Sequence, residues 1–259
     1  MTGTKLSELV RHLDDLLETD STPDYPNAVN GLQLANSGAV SKIAVAVDFS
    51  SRTVAGAVRE GATLLLVHHG MFWSGLEPVR GTAYERMKQL IAGDLAVYSS
   101  HLPLDRHDKL GNNVLLAGEL GLEPSGGFAR FQTIDIGVRG EADIDTAELA
   151  LRAASFSEKH GGTLRTTPIA SGHRTRRWAI CTGAGASSET LREAAEQEID
   201  TLIVGEGAHW TAVSAADSGL AILYAGHYAT ETLGVRALAE HVSEKFSLPW
   251  TFLQHPTGL

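Results

Sequence analysis

One cysteine, Cys181, is all the thiol that this 259-residue chain carries. A lone cysteine excludes an intrachain disulfide and a zinc site built from cysteines, and it suits a reducing compartment. Long apolar runs are missing as well: no stretch approaches the roughly 18 uninterrupted apolar residues of a membrane-crossing helix. The opening residues, MTGTKLSELVRHLDDLL, carry charges where a secretory leader needs an apolar core, so a cytoplasmic protein is expected. Positive charge is in short supply. The 21 basic residues stand against 31 acidic ones, and a formal net charge of -10 disfavours broad contact with a phosphate backbone, so neither nucleic acid nor a membrane is an expected partner. What the chain does have is a hydrophobic content of 43%, enough for a substantial core, and eleven histidines. Imidazole set against an acidic background points to divalent metal.

Hydrophobic spacing sets the fold class. Leu6, Leu9, Val10, Leu13, Leu16 and Leu17 follow the period of an amphipathic helix. A loop rich in Pro and Asn spans Ser21 to Gly31, with Asn30-Gly31 as a turn signal. Residues 42–47 predict a buried strand, Ser50 or Ser51 caps a helix over 52–60, and Gly61 ends it. The apolar run 63–67 predicts a second strand, of the kind covered on both faces, stopping at His68-His69-Gly70. A helix over 83–92, a strand over 95–99 and then His101-Leu-Pro-Leu-Asp105 complete an alternation that implies α/β architecture with right-handed crossovers.

The second half repeats this order. Residues 42–47 with Ser50-Ser51-Arg52-Thr53 match 178–182 with Ser187-Ser188-Glu189-Thr190, and 63–67 match 201–204. Residues 95–105 match 220–231, and both segments end in His-x-x-x-acid. The expectation is two similar α/β domains arising from an internal duplication, 1–127 and 128–259, joined near Gly126-Gly127.

Parallel sheets put their binding groups at the carboxyl ends of strands. His68, His69, His101 and His227 all fall at such ends, and His227 and Glu231 share one helical face if that segment is helical. Asp105 follows His101 at the same spacing. One histidine at a strand end is ordinarily a satisfied polar residue, and adjacent histidines in a strand face opposite ways. Six such residues together are a metal-ligand pattern, with imidazole and carboxylate suiting zinc, iron(II), manganese or nickel better than magnesium or calcium. They exceed the needs of one tetrahedral ion, and two ions bridged by a carboxylate would use them all. Glu206 and His209 lie at the strand end equivalent to His68-His69 and are candidates for general base and acid. The segment 183–188 predicts a tight strand-to-helix turn, and the basic run 173–177 a solvated loop, either of which could instead meet an anion.

Asn30-Gly-Leu-Gln33, Val67-His-His-Gly70, the segment His101 to Asp105 with Gly111-Asn112-Asn113 beyond it, and Gly226-His227-Tyr-Ala-Thr-Glu231 together resemble the NIF-three-like family, often described as GTP cyclohydrolase I type 2 homologues. The resemblance covers nearly the whole chain and is closest to the short form, with no third domain between the halves. It implies a homohexameric ring and a dinuclear metal centre in the cleft between two similar domains. The implied ligands are His68, His69, Asp105, His227 and Glu231, with His101 joining or flanking them and Asp105 or Glu231 as the bridge. Two divalent ions per subunit (zinc, iron or manganese) are implied, serving a metal-dependent hydrolase acting on nucleotides or related phosphorylated small molecules. GTP ring opening is the reaction attached to the family. The alternative is a metal-binding, metal-delivery or scaffold protein without turnover.

Overall fold

The computed structural model describes residues 3–259, which divide into two units, each built on its own sheet. In chain order the elements are β1 (Thr4–Lys5), α1 (Leu6–Leu17), β2 (Gly31–Leu34), β3 (Ala39–Val40), β4 (Ile43–Asp48), α2 (Ser51–Arg59), β5 (Leu64–His69), α3 (Thr82–Ala92), β6 (Ala96–Ser99) and α4 (Leu102–Asp105). There follow α5 (Asn112–Leu120), β7 (Gly126–Phe131), β8 (Ile134–Asp145), α6 (Thr146–Lys159), β9 (Arg165–Thr166), β10 (Arg174–Cys181), α7 (Ser188–Glu196), β11 (Thr201–Val204), α8 (His209–Ser218), β12 (Ala221–Tyr224) and α9 (His227–Thr230). The last two are α10 (Thr232–Phe246) and β13 (Trp250–Phe252).

The first unit takes the chain up to Leu104 and then Gly234–His255; the second takes Asp105–Leu233 and Pro256–Leu259. These are not the contiguous halves 1–127 and 128–259 expected above. Two packing facts account for the difference. β13 pairs in parallel with β4, Trp250 opposite Ile43, so the end of the chain completes the first sheet. Leu116, Ala117 and Leu120 of α5 pack with Leu149, Phe156 and Trp178, so α5 serves the second core.

In the first unit a five-stranded sheet runs β13-β4-β5-β6-β2, parallel except for β2. β4, β5 and β6 are buried on both faces, which is why they are continuous apolar runs without alternation. α1 buries Leu6, Leu9, Leu13 and Leu17, with Val10 and Leu16 half-buried beside them. α2 starts at a capping box in which Ser50 accepts from the Thr53 N–H and Thr53 accepts from the Ser50 N–H, satisfying two of the otherwise orphaned amides. β5 does not stop before the histidines. It runs through His68 and His69, because Asp48 pairs with His69 in the parallel ladder and the Phe49 N–H donates to the His69 carbonyl at 2.8 Å.

The second unit has a six-stranded sheet, β7-β8-β10-β11-β12-β9. Its β10-β11-β12 core is parallel, crossed over by α7 and α8, and α7 opens on a capping box of the same kind, Ser187 with Thr190. The predicted tight turn before α7 is there: a side chain at Gly185 would run into the Cys181 carbonyl. The basic run 173–177 is not a solvated loop. It enters β10, where Thr175 is buried, Arg174 pairs with Asp143 and Arg177 with Glu198, so those two cations are already committed. Among the described residues no helix is long and apolar enough to cross a membrane.

Candidate functional site

The candidate residues gather in two clusters, one in each unit. In the first, β5 ends on His68 and His69, and β6 is followed by Ser100 and His101, so neighbouring parallel strands deliver three imidazoles to one sheet edge. All three are buried, at 0%, 6% and 7% exposure, and one ligand atom from each lies within 4.8 Å of the others. The strand pleat does not separate His68 from His69 here, for their ring centroids are 4.8 Å apart.

Every one of these rings is braced at Nδ1. His68 Nδ1 lies 2.8 Å from the Ser100 carbonyl, His69 Nδ1 2.8 Å from Asp48 Oδ1, and His101 Nδ1 2.8 Å from Asp24 Oδ1. Carbonyls and carboxylates only accept, so Nδ1 carries the proton in each ring and Nε2 presents its lone pair. This is the arrangement by which outer partners fix the tautomer and orientation of metal-ligating histidines.

Sequence patterns did not reveal Asp24 or Asp48, since neither sits in a ligand-like spacing. Asp24 belongs to the Pro- and Asn-rich loop, and its second oxygen accepts from Asn30 Nδ2 at 2.7 Å and from the Leu102 N–H at 2.9 Å. Asn30 in turn accepts from the His101 N–H at 2.8 Å. Burial pushes the Asp24 carboxyl up, but the hydrogen bond and charge of His101, with Asn30 and Leu102, outweigh it and hold the group below the usual carboxylate range. The Asn30-Gly-Leu-Gln33 motif thus acquires physical meaning. Gln33 donates to the Ala28 and Val29 carbonyls and accepts from the Met71 N–H at 2.6 Å, clamping the chain just after the histidines. A side chain at Gly70 would overlap the Gln33 amide, which is why glycine follows the histidine pair. Trp73, a further residue no spacing rule marks, packs its ring 4.6 Å from His69 and 4.5 Å from His101.

The second cluster uses the carboxyl ends of β10, β11 and β12. His227 follows β12 and opens α9, with Glu231 one turn on, and His227 Nε2 lies 3.2 Å from Glu231 Oε1. Its Nδ1 is held by Glu206 Oε1 at 2.8 Å. Burial draws the His227 pKa down, but the hydrogen bonds and charges of Glu231 and Glu206 overcome it and raise it to about 9. Glu231, only 2% exposed, fits against Gly183, whose backbone is left-handed at φ +62° and where a Cβ would overlap the carboxylate. Asp105 is tied to this region by its neighbours. Asn112 Nδ2 donates to Asp105 Oδ1 at 2.8 Å, while Asn113 donates to the Asp105 carbonyl and accepts from the Thr182 N–H at 2.8 Å. Burial, with the charges of Asp105, Glu193 and Glu231, pushes the Cys181 thiol far up, so this cysteine is an inert core residue.

Glu206 and His209 have different surroundings from each other. Glu206 is committed through one oxygen to His227. His209 is exposed at the start of α8 and shares with Glu206 a cleft of roughly 480 Å³. Of the remaining histidines, His12 contacts His241, His160 contacts Thr232, His173 contacts Thr146, and His107 Nδ1 accepts from the Lys109 and Leu110 N–H groups.

The sequence profile of the family described as Duf34/NIF3 (NGG1p interacting factor 3) matches residues 4–257. A protein of Deinococcus radiodurans named GTP cyclohydrolase 1 type 2 homolog is 38% identical over 253 residues, spanning 97% of this chain and 94% of that one. A protein of Pyrococcus abyssi with the same name is 38% identical over 252 residues, spanning 97% and 98%. Among solved structures, TTHA1606 from Thermus thermophilus superposes with a TM-score of 0.85 at 33% identity, covering 99% of this chain and 100% of that one.

Proposed function

The chain belongs to the Duf34/NIF3 family, and on that footing we propose that it is a dinuclear metal-dependent hydrolase of nucleotides or related phosphorylated small molecules. The observation that carries the reading is the bracing of His68, His69 and His101, each held at Nδ1 so that Nε2 would be the ligand nitrogen. In this reading those three and Asp105, His227 and Glu231 would hold two ions of zinc, iron or manganese. The donor set, imidazole nitrogen with carboxylate oxygen, suits that class of ion. When bound, such ions polarise a phosphoryl or carbonyl oxygen and make water more acidic.

The protein's own groups do the rest. Glu206 orients His227 through Nδ1 and serves as proton acceptor, and His209, across the same cleft, serves as proton donor. GTP ring opening comes to this chain only from the names of its relatives. The β-α-β-α-β order shared by both units, with paired capping boxes, supports their origin by duplication. A cytoplasmic homohexamer completes the proposal.

Metal analysis of protein purified without chelators, with a screen of nucleotides and phosphoesters, tests it. Two ions per chain with turnover are expected; less than one ion per chain overturns the dinuclear reading, and two ions without turnover overturn the hydrolase. Light scattering of the same sample is expected to give six chains, and a smaller particle removes the hexamer. A more local test is Asp24→Ala, which strips the acceptor from His101 Nδ1. It is expected to weaken metal binding by about 10–100-fold, read by competition with a chromophoric chelator, and unchanged affinity would show that His101 needs no brace.

A further inference from the structure

The cleft that Glu206 and His209 share contains one charged group that no role has yet used. It lies at the carboxyl ends of β11 and β12, where open parallel sheets take their ligands, and it continues along Thr163, Arg165 and Tyr224. Arg165 stands opposite Tyr224 in the antiparallel pairing of β9 with β12, so the two side chains leave the sheet on the same face. Arg130, Arg152, Arg174 and Arg177 of the same unit each hold a carboxylate. Arg165 holds none among the described residues; its only hydrogen bond is a 3.5 Å contact to the neighbouring Leu164 carbonyl. The one carboxylate side chain in the cleft, Glu206, is already engaged by His227. At roughly 480 Å³ the cleft has room for a small molecule of nucleotide size.

We propose that Arg165 is the anchor for a phosphoryl group of the substrate, which lies along this cleft with its reacting end toward Glu206. The proposal rests on the hydrolase reading and names the chemistry of the molecule it would act on. A guanidinium fork matches a phosphoryl group bidentately, and a lysine at the same place offers only a point charge. The anchor also explains how an acidic protein attracts an anionic substrate, through a local cation and not through net charge.

The test is a titration of zinc-loaded protein with inorganic phosphate, followed by 31P NMR, with acetate as a second probe and zinc content measured in every sample. Arg165 is exposed, so its variants are expected to fold. Arg165→Ala is expected to raise the phosphate Kd at least tenfold at unchanged zinc content, and Arg165→Lys to give an intermediate value. A phosphate Kd equal to that of the wild type in Arg165→Ala overturns the anchor, and acetate binding as tightly as phosphate overturns the phosphoryl assignment. Repeating the titration on chelated protein separates the two readings. Dependence on Arg165 that survives chelation supports the anchor even if zinc analysis fails the hydrolase, and dependence that vanishes overturns it as a site of its own.

Discussion

Glu231→Gln is expected to abolish stoichiometric metal binding by the second unit while leaving the fold intact. Glutamine keeps the volume of a side chain that is 2% exposed, and it can still hydrogen-bond to His227. What it loses is the charge. A neutral amide oxygen neither neutralises a divalent ion nor bridges a pair of them, so affinity should fall beyond the roughly 10–100-fold that follows loss of an outer partner. Any hydrolytic rate should fall with it. Metal content after dialysis, read by emission spectrometry, checks the expectation, with near-UV circular dichroism as the control for folding. Full retention of metal would remove Glu231 from the ligand set.

Gly183→Ala is expected to damage the same site from the backbone side, and to cost stability as well. Two effects add. The left-handed conformation at φ +62° penalises any Cβ by about 1–2 kcal/mol. The new methyl also occupies the space of the Glu231 carboxylate and must push it away from its seat beside His227. Gly219→Ala separates the two, because Gly219 is left-handed at φ +72° with nothing within 4 Å of the new Cβ. Thermal melts should show a loss of a few degrees for Gly219→Ala and a larger one for Gly183→Ala, whereas metal titration should show a defect in Gly183→Ala alone. Equal metal affinity in the two would mean that the fit between Gly183 and Glu231 has no bearing on the site.

The parts of this architecture that could be read from the chain are those where burial leaves a local mark. β4, β5 and β6 each carry a continuous apolar run because both faces are covered, and Ser50 and Ser187 announce the helices they cap. The histidines were visible for the same reason, each closing such a run. β8 left no mark of that kind: its twelve residues alternate exposed and covered positions, carry acids and glycines, and take their order from pairing with β7 and β10. β13 is three residues long and gains its place only by adding to β4. The braces were hidden by distance. Asp24 and His101 lie 77 residues apart, and nothing in either segment alone says that one loop holds the other's ring.

The return of β13 to the edge of the first sheet sets an order of events during synthesis. The parallel ladder of Trp250 with Ile43 joins segments from nearly opposite ends of the chain, and Leu253 from the end of this strand fills the space against Gly56 of α2. A nascent first unit therefore has β4 exposed as an unpaired edge until Trp250–Phe252 are made, whereas Asp105–Leu233 forms an unbroken stretch of the second unit. Residues 105–233 can collapse while β4 still waits for β13. Long-range closure of this kind is slow and leaves an edge open to other chains in the meantime. Removal of residues 248–259 would thus harm the first unit most, through aggregation at β4, although β4 itself is left intact.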